Sequence, residues 1–419
     1  MSGAFTLPPG RWQLTLRLAA PWLLPIDAPP IADGALLIDD RGRIVAVGPD
    51  AAVPVPPDAL VQRFDDAAIL PGLINTHTHL ELTGFVGMAE DADFWEWIKH
   101  IIALKATRDD EGFFHAASAG IRACWAAGVT TICDMGNTGS VIAALDYLGA
   151  SGIAHHEAFD MHTEETPVVM KRFSRELDRL AKHATGRVGI GVSPHAPYTV
   201  SGPLYRAVGD LGRAHGVPIG VHVAEPADES ALLRDFTGIF ADALRARGVA
   251  RVSEEPISPI AWLDKHGVLT SRTLCAHAIH TDLADTKIMV QRGVAVAHCP
   301  RSNRRHHQAD APMGRYVDAG LRIGLGTDSE VSVAPLDLIA EAREARKLTG
   351  WSAADTVRAL TLGGAEALGL EATTGSLTVG KWADVTVLRI GDAKTPFDAV
   401  LASGLSDVAA TWLAGRRVH

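Results

Sequence analysis

The sequence predicts an α/β protein: a (β/α)8, TIM-type barrel with a smaller β-sandwich domain formed by both chain termini. Three observations support this fold class. Short apolar runs alternate with helix-like segments through the middle of the chain, which is the pattern of parallel βα units. Both ends instead carry short strands separated by turns. Polar residues follow several of the apolar runs, at the strand ends where such barrels carry their chemistry.

Eight apolar runs supply the expected barrel strands. They are Ile69–His77, Thr130–Met135, Gly152–Phe159, Val188–His195, Pro218–Ala224, Thr273–His277, Val294–His298 and Leu321–Thr327. Helix-like stretches lie between them, including Phe113–Ala127, Pro203–Ala214, Ala231–Arg247 and Leu336–Leu348. A doubly wound sheet is the alternative, but it would not gather residues from the first, fifth, sixth and eighth strands around one point.

The terminal segments lack helical periodicity. Strand-like runs begin the chain at Gln13–Leu18, Ala35–Asp39, Ile44–Val47 and Leu60–Phe64, with glycine and aspartate between them. The stretch Gly375–Leu388 repeats this pattern near the other end. We therefore expect residues 1–66 and 370–419 to form one composite β-sandwich domain, and residues 67–369 to form the barrel.

Composition argues against several classes of protein. The formal net charge is −10 and no large basic cluster is present, so we expect no nucleic-acid partner. No stretch of about 18 uninterrupted apolar residues occurs, so we expect no membrane span. The 4 cysteines form no C-x-x-C pair, which argues against a zinc ribbon. Scattered cysteines are typical of a reducing compartment, and we expect the protein to be cytoplasmic.

Three histidines and an aspartate at strand ends predict a metal site. His77 and His79 form a His-x-His pair at the end of the first run, and alternation along a strand places both imidazoles on one face. His222 in the fifth run and Asp328 after the eighth can complete the ligand set and leave room for a water. The fourth run, Val188–His195, has no lysine that could bridge two ions. We expect one divalent metal, Zn²⁺ by preference, although the same ligands also hold Fe²⁺.

Other polar residues near these strand ends are candidates for catalysis. Glu225 lies just past the fifth strand, where a carboxyl group beside an activated water can shuttle protons; the alternative is a solvated loop carboxylate. His277 ends the sixth run and could bind the water or the leaving group. His280 is either a site residue or a structural histidine. Asp328 could also accept a proton from the attacking water, and an N-cap role is compatible with that.

These motifs together resemble the amidohydrolase superfamily, in its branch of mononuclear-metal nucleobase and nucleoside deaminases. The resemblance covers essentially the whole chain and rests on Pro71–His79, His222–Glu225, Ala276–His280, His298–Asn303, Gly326–Ser329 and Gly375–Asp384. It implies an aminohydrolase that acts on C–N bonds in cyclic amidines. It also implies metal ligation by His77, His79, His222 and Asp328, with Glu225 as the proton shuttle and His277 positioning the attacking water.

Two further motifs resemble the segments that hold a nucleoside in such enzymes. Phe94–Ile98 implies that Glu96 binds ribose hydroxyls, and Ser193–Tyr198 implies that His195 contacts the sugar or its 5′ side. Members acting on S-adenosylhomocysteine carry arginines near the third strand, and the stretch Asn137–Met170 has none.

A different 5′ substituent is therefore the preferred substrate hypothesis. Trp97 could cover an aromatic group, and Arg301, Arg304 or Arg305 could meet a carboxylate. These features favour deamination at the 6-amino group of 6-amino-6-deoxyfutalosine, an adenine nucleoside with a carboxyphenyl tail used in menaquinone biosynthesis.

Several alternatives stay open at this point. Adenosine, 5′-methylthioadenosine and S-adenosylhomocysteine are alternative nucleosides, and the same site could hydrolyse guanine, cytosine or a triazine. A non-catalytic, amidohydrolase-like assembly protein is the alternative outside enzymes. A homodimer is compatible with the resemblance, and the expected partner is a small-molecule nucleoside.

Overall fold

The computed structural model describes residues 15–90, 93–307 and 309–419. Its strands are β1 (Leu16–Leu23), β2 (Ile31–Ile38), β3 (Ile44–Pro49), β4 (Leu60–Arg63), β5 (Ala67–Pro71), β6 (Leu73–Thr78), β7 (Val129–Gly136), β8 (Gly152–Ala158), β9 (Val188–Pro194), β10 (Ile219–Val223), β11 (Thr273–His277), β12 (Ala295–His298), β13 (Arg322–Leu325), β14 (Val385–Arg389), β15 (Val408–Leu413) and β16 (Arg416–Arg417). Its α-helices are α1 (Phe94–Lys105), α2 (Asp110–Ala126), α3 (Ser140–Leu148), α4 (Thr166–Leu180), α5 (Gly202–His215), α6 (Ala227–Asp235), α7 (Gly238–Ala246), α8 (Pro259–Lys265), α9 (Leu283–Arg292), α10 (Pro300–His307), α11 (Met313–Asp318), α12 (Leu338–Thr349), α13 (Ala353–Arg358), α14 (Gly364–Leu368) and α15 (Pro396–Ala402).

The strands β6 to β13 form an eight-stranded parallel sheet in which each strand pairs with the next in sequence. The last strand returns to the first, because the backbone N–H groups of Thr327 and Asp328 donate to the carbonyl of His77 at 3.2 and 3.0 Å. Thr78 and Asp328 also form a parallel bridge. This closure confirms the predicted (β/α)8 barrel and excludes the doubly wound alternative, in which the outer strands would stay apart.

The first predicted barrel strand is divided between two sheets. The sequence predicts a single strand over Ile69–His77, but β5 pairs with β14 in the terminal sheet, and the barrel strand β6 begins only at Leu73. Gly72 lies at the junction, where an added Cβ would collide with the side chain of Thr130. A glycine is therefore needed where the chain passes from one sheet into the other.

The terminal sheet combines strands from both ends of the chain, in the order β16-β15-β14-β5-β1-β2-β3. Strand β1 pairs with β4 along its first half and with β5 at its end, so all eight strands belong to one hydrogen-bonded sheet. Buried residues from both ends, such as Leu18 and Val387, share one core. Residues 13 and 14 of the predicted strand Gln13–Leu18 lie outside the described residues.

The helices between the barrel strands pack their apolar faces onto the barrel. Two large core clusters contain residues of both strands and helices, for example Ile132 with Leu145 in one and Val221 with Leu204 in the other. This packing fixes the strand ends from which the polar side chains project. Within the described ranges, no helix combines the length and apolar character needed to cross a lipid bilayer.

Candidate active site

The four predicted metal ligands converge at the carboxyl end of the barrel. The Nε2 atoms of His79 and His222 are 3.2 Å apart. The Oδ1 atom of Asp328 lies 3.5 Å from Nε2 of His79 and 3.7 Å from Nε2 of His77. Two atoms bound tetrahedrally to one zinc, with bonds of roughly 2.1 Å, are about 3.4 Å apart. His77, His79 and Asp328 offer donor atoms that all lie within 4.8 Å of one another. This spacing, with His222 next to His79, suits the ligands of a single ion.

The chemistry of these donors also fits a divalent metal. Both ring nitrogens of His77 are buried and have no hydrogen-bond partner among the described residues. The Nδ1–H of His79 donates to the carbonyl of Met135 at 2.6 Å, which leaves Nε2 as an electron-pair donor. Burial, reinforced by the neighbouring imidazoles, lowers the pKa of His77 and His222 well below the usual value, so both rings are neutral, the form that binds metals.

Left-handed backbone at the strand ends aims several of these side chains. The φ angles are 52° at Ala224, 66° at His277 and 58° at Asp328, values that non-glycine residues rarely adopt. Each lies where a barrel strand turns into its following loop. Such strained positions cluster at functional sites, since the surrounding fold must hold them in place.

Hydrogen bonds fix which atom of His277 and of Asp328 faces the ligand cluster. The Nδ1–H of His277 donates to Oδ1 of Asn303 at 2.9 Å, so Nε2 is the ring nitrogen that faces the ligand cluster. The hydroxyl of Ser302 donates to Oδ2 of Asp328 at 2.6 Å, while Oδ1 faces His77 and His79. Both supporting residues come from α10, which follows the seventh barrel strand.

Glu225 lies beside the ligand cluster as a buried carboxylate. The backbone N–H groups of Ala224 and Glu225 donate to the carboxylate of Glu229 at 2.7 and 3.3 Å, which fixes the turn after β10. Burial alone raises the pKa of Glu225, but the charge of His277 and a hydrogen bond from His307 outweigh it, and the net shift is downward. The predicted shuttle therefore stands ionised next to the predicted metal ligands.

A cavity of about 680 Å³ opens in front of this cluster. Its polar wall includes His79, Glu157, His195, His222, Glu225, His277 and Asp328. Its apolar wall includes Phe94, Trp97, Ile98 and Ile101 from α1, with Phe159 and Met161 from the loop after β8. A site of this size and mixed lining suits a molecule of nucleoside dimensions.

The predicted substrate-binding residues divide into two groups. His195 and Trp97 line the cavity, as the sequence predicts. Glu96 does not; its half-exposed side chain forms an ion pair with Lys99 at 2.6 Å. Arg301 does not either, because its guanidinium faces Glu341 at 3.5 Å. His280 also lies off the cavity wall, and its backbone N–H donates to the carbonyl of Ala224 at 2.8 Å.

Three residues of the site are absent from the sequence-based predictions. Glu157 is the penultimate residue of β8 and lines the cavity, with Oε1 buried and lacking a hydrogen bond among the described residues. Burial raises its pKa to about 8. Glu157 lies at the carboxyl end of a barrel strand, as His222 does, and this position is the sequence signal that could have predicted it. His307 contacts Glu225, and Arg247 lines the cavity; neither carries a sequence signal of that placement.

A known protein family matches most of this chain. The profile of the amidohydrolase family covers residues 68–418. A 5-methylthioadenosine/S-adenosylhomocysteine deaminase of Desulforudis audaxviator is 31% identical over 366 residues, 84% of this chain and 80% of that protein. A 5′-deoxyadenosine deaminase of Methanothermobacter thermautotrophicus is 29% identical over 87% of this chain and 82% of that protein.

A solved structure shares the fold along nearly the full length. It is an adenosine deaminase from Xanthomonas campestris with bound zinc. The TM-score is 0.83 and the sequence identity 26%, with 96% of this chain and 92% of that chain covered.

Proposed function

The chain belongs to the amidohydrolase family, and we propose that it is a metal-dependent deaminase that hydrolyses the 6-amino group of an adenine nucleoside. One observation carries the proposal: the buried carboxylate of Glu225 lines the same cavity as His79, His222 and Asp328, and the buried His77 lies against them at separations suited to metal ligation. Zinc is the proposed metal. When bound, a divalent cation supplies Lewis-acid activation of a water at neutral pH.

The protein's own residues can move the protons of this reaction. Glu225, an ionised carboxylate, accepts one proton from the attacking water and transfers it to the ring nitrogen next to C6 of the purine, which makes C6 electrophilic. The water oxygen adds to C6. Asp328 accepts the second proton of the water and passes it to the amino group, so that the C–N bond breaks, ammonia leaves and the 6-oxo nucleoside remains. His277, through Nε2, forms a hydrogen bond with the water and orients it.

The sugar is proposed to lie against His195 and Glu157. The Nε2 atom of His195 is 4.0 Å from Oε1 of Glu157, and both residues line the cavity. A pair of this kind can hold ribose hydroxyls, since one group accepts and the other donates. Glu157 takes the role that the sequence motif suggested for Glu96, because Glu96 does not line the cavity.

The 5′ substituent is proposed to be aromatic and to end in a carboxylate, as in 6-amino-6-deoxyfutalosine. Phe94 and Trp97 stack on each other with centroids 5.7 Å apart and provide an aromatic wall. Arg247 lines the same cavity, and its guanidinium has no hydrogen bond or ion pair to any described residue. Arg247 thus replaces Arg301 as the cation proposed to meet the carboxylate, because Arg301 is held by Glu341.

A substrate panel tests the proposal. The purified, zinc-loaded protein is assayed for ammonia release from adenosine, 5′-deoxyadenosine, 5′-methylthioadenosine, S-adenosylhomocysteine and 6-amino-6-deoxyfutalosine. We expect turnover of adenine nucleosides, with kcat/KM for 6-amino-6-deoxyfutalosine at least about tenfold above adenosine, the size of one charge-assisted hydrogen bond. Arg247→Gln should remove this preference and leave 5′-methylthioadenosine turnover within about twofold.

Other outcomes of the panel have distinct meanings. A preference for 5′-methylthioadenosine or adenosine would support the assignment as a nucleoside deaminase and contradict the proposal that the 5′ substituent carries a carboxylate. If the protein instead turned over only free guanine, cytosine or a triazine, assayed beside the panel, the proposal of a nucleoside substrate would be wrong. No turnover of any compound by metal-loaded protein would favour the non-catalytic assembly role.

A further inference from the structure

We propose that His307 is a positioning residue that holds the carboxylate of Glu225 in the orientation needed for proton transfer; this inference rests on the proposed deaminase function. The Nε2–H of His307 donates to Oε1 of Glu225 at 3.1 Å. Both side chains are buried, with 5% and 7% of their surfaces exposed. A charge-assisted hydrogen bond in such surroundings is stronger than one in water.

This bond is the main restraint on the direction of the carboxylate. The backbone of Glu225 is fixed by Glu229, but the side chain has three rotatable bonds beyond it. His277 is the next nearest side chain, and its Nε2 lies 3.6 Å from Oε1, beyond hydrogen-bonding distance. Among the described residues, His307 alone donates to this carboxylate. With Oε1 anchored, Oε2 is available to the substrate.

The ring of His307 is itself held by the cavity wall. His307 is the last residue of α10, and its ring packs against Phe94, the first residue of α1, with centroids 4.6 Å apart. Phe94 lines the substrate cavity, so one side chain contacts both the nucleoside space and the histidine that holds the shuttle. His306 packs mainly on Trp97, at 4.4 Å, and more distantly on Phe94, at 5.8 Å. The hydrogen bond to Glu225 belongs to His307 and distinguishes it from its neighbour.

Loss of this restraint should reduce turnover more than binding. A carboxylate that rotates away spends less time in line with the ring nitrogen, and misplacement of a catalytic group by about 1 Å can reduce a rate by roughly 100-fold. Ground-state contacts of the nucleoside with the cavity walls would change little. A residue with only a packing role would affect KM or folding instead of kcat.

Three variants separate the hydrogen bond from the packing. His307→Phe keeps an aromatic ring against Phe94 and removes the donor; His307→Gln keeps an N–H donor; His306→Gln is the matched control. With the best nucleoside of the panel, we expect His307→Phe to lower kcat roughly 10- to 100-fold with KM within about threefold. His307→Gln should recover at least about a third of the wild-type kcat, and His306→Gln should stay within about threefold. Zinc content should be unchanged in all three.

A binding measurement reports on the same geometry without turnover. Calorimetry with coformycin, a tetrahedral nucleoside analogue, should show at least about tenfold weaker binding to His307→Phe, whereas the product nucleoside should lose less than about threefold. Wild-type kcat in His307→Phe, or equal losses in the Phe and Gln variants through KM alone, overturns the positioning role. If the wild-type protein deaminates no nucleoside, the proposed deaminase function is wrong, and the positioning role of His307 is overturned with it.

Discussion

Replacement of Glu225 by glutamine is expected to lower kcat by about 10²- to 10⁴-fold, the usual contribution of a general acid–base group. The amide keeps the shape of the side chain and can still accept from His307, but it cannot deliver a proton to the purine ring. Glu225 is not among the residues whose spacing suits the ion, so metal content should stay near one ion per chain. Ammonia release and metal analysis of the same preparation measure both quantities.

Glu96→Gln is the matched control for this prediction. The substitution is chemically identical, and Glu96 is exposed and paired with Lys99 rather than directed at the cavity. We expect its kcat/KM to stay within about threefold of wild type. Unchanged turnover in Glu225→Gln would remove the proposed shuttle, and a large loss in Glu96→Gln would return the ribose role to that residue.

The second large effect concerns the metal itself. His222→Ala removes one of four donors, and we expect metal content below about 0.1 ion per chain and kcat reduced at least about 10³-fold. The three proposed ligands that remain, His77, His79 and Asp328, would bind zinc too weakly to retain it through purification. Because metal bound only to the folded state stabilises it, EDTA should lower the Tm of wild type and leave that of His222→Ala unchanged.

His280→Ala serves as the control for ligand removal. His280 also follows a barrel strand but lies off the cavity wall, so its loss should leave zinc content near wild type and kcat within about threefold. Full zinc occupancy in His222→Ala would contradict its assignment as a ligand. Zinc loss in His280→Ala would show that the histidines after β11 take part in metal binding.

The barrel, and the clustering of the proposed ligands at one end of it, could be predicted from sequence because both follow from local rules. Apolar runs separated by helical segments define parallel strands, and residues at their carboxyl ends must meet at one face. His77, His222 and Asp328 each sit at such an end, so closure of the barrel alone brings them together. The same rule applies to Glu157, but a single glutamate at a strand end forms no motif that would distinguish it from other carboxylates.

Residues on helices and in loops could not be placed this way. The partners of Glu96 and Arg301 depend on how α1 and α10 are rotated against the barrel, which tertiary packing decides. His307 contacts both Glu225 and Phe94, a placement that depends on how α10 packs against α1. The division of the first predicted strand into β5 and β6 could not be predicted for the same reason. Ala67–Pro71 and Leu73–Thr78 are both apolar, and they differ only in the strands with which they pair.

Crystallographic anomalous scattering at the zinc absorption edge tests the central claim most directly. In crystals of the zinc-loaded protein, we predict one strong peak within about 2.3 Å of Nε2 of His79 and of His222, of a ring nitrogen of His77, and of Oδ1 of Asp328. A peak that misses any of these four residues, a second peak of equal height in the barrel, or no peak at this site would contradict the single-metal centre on which the deaminase proposal depends.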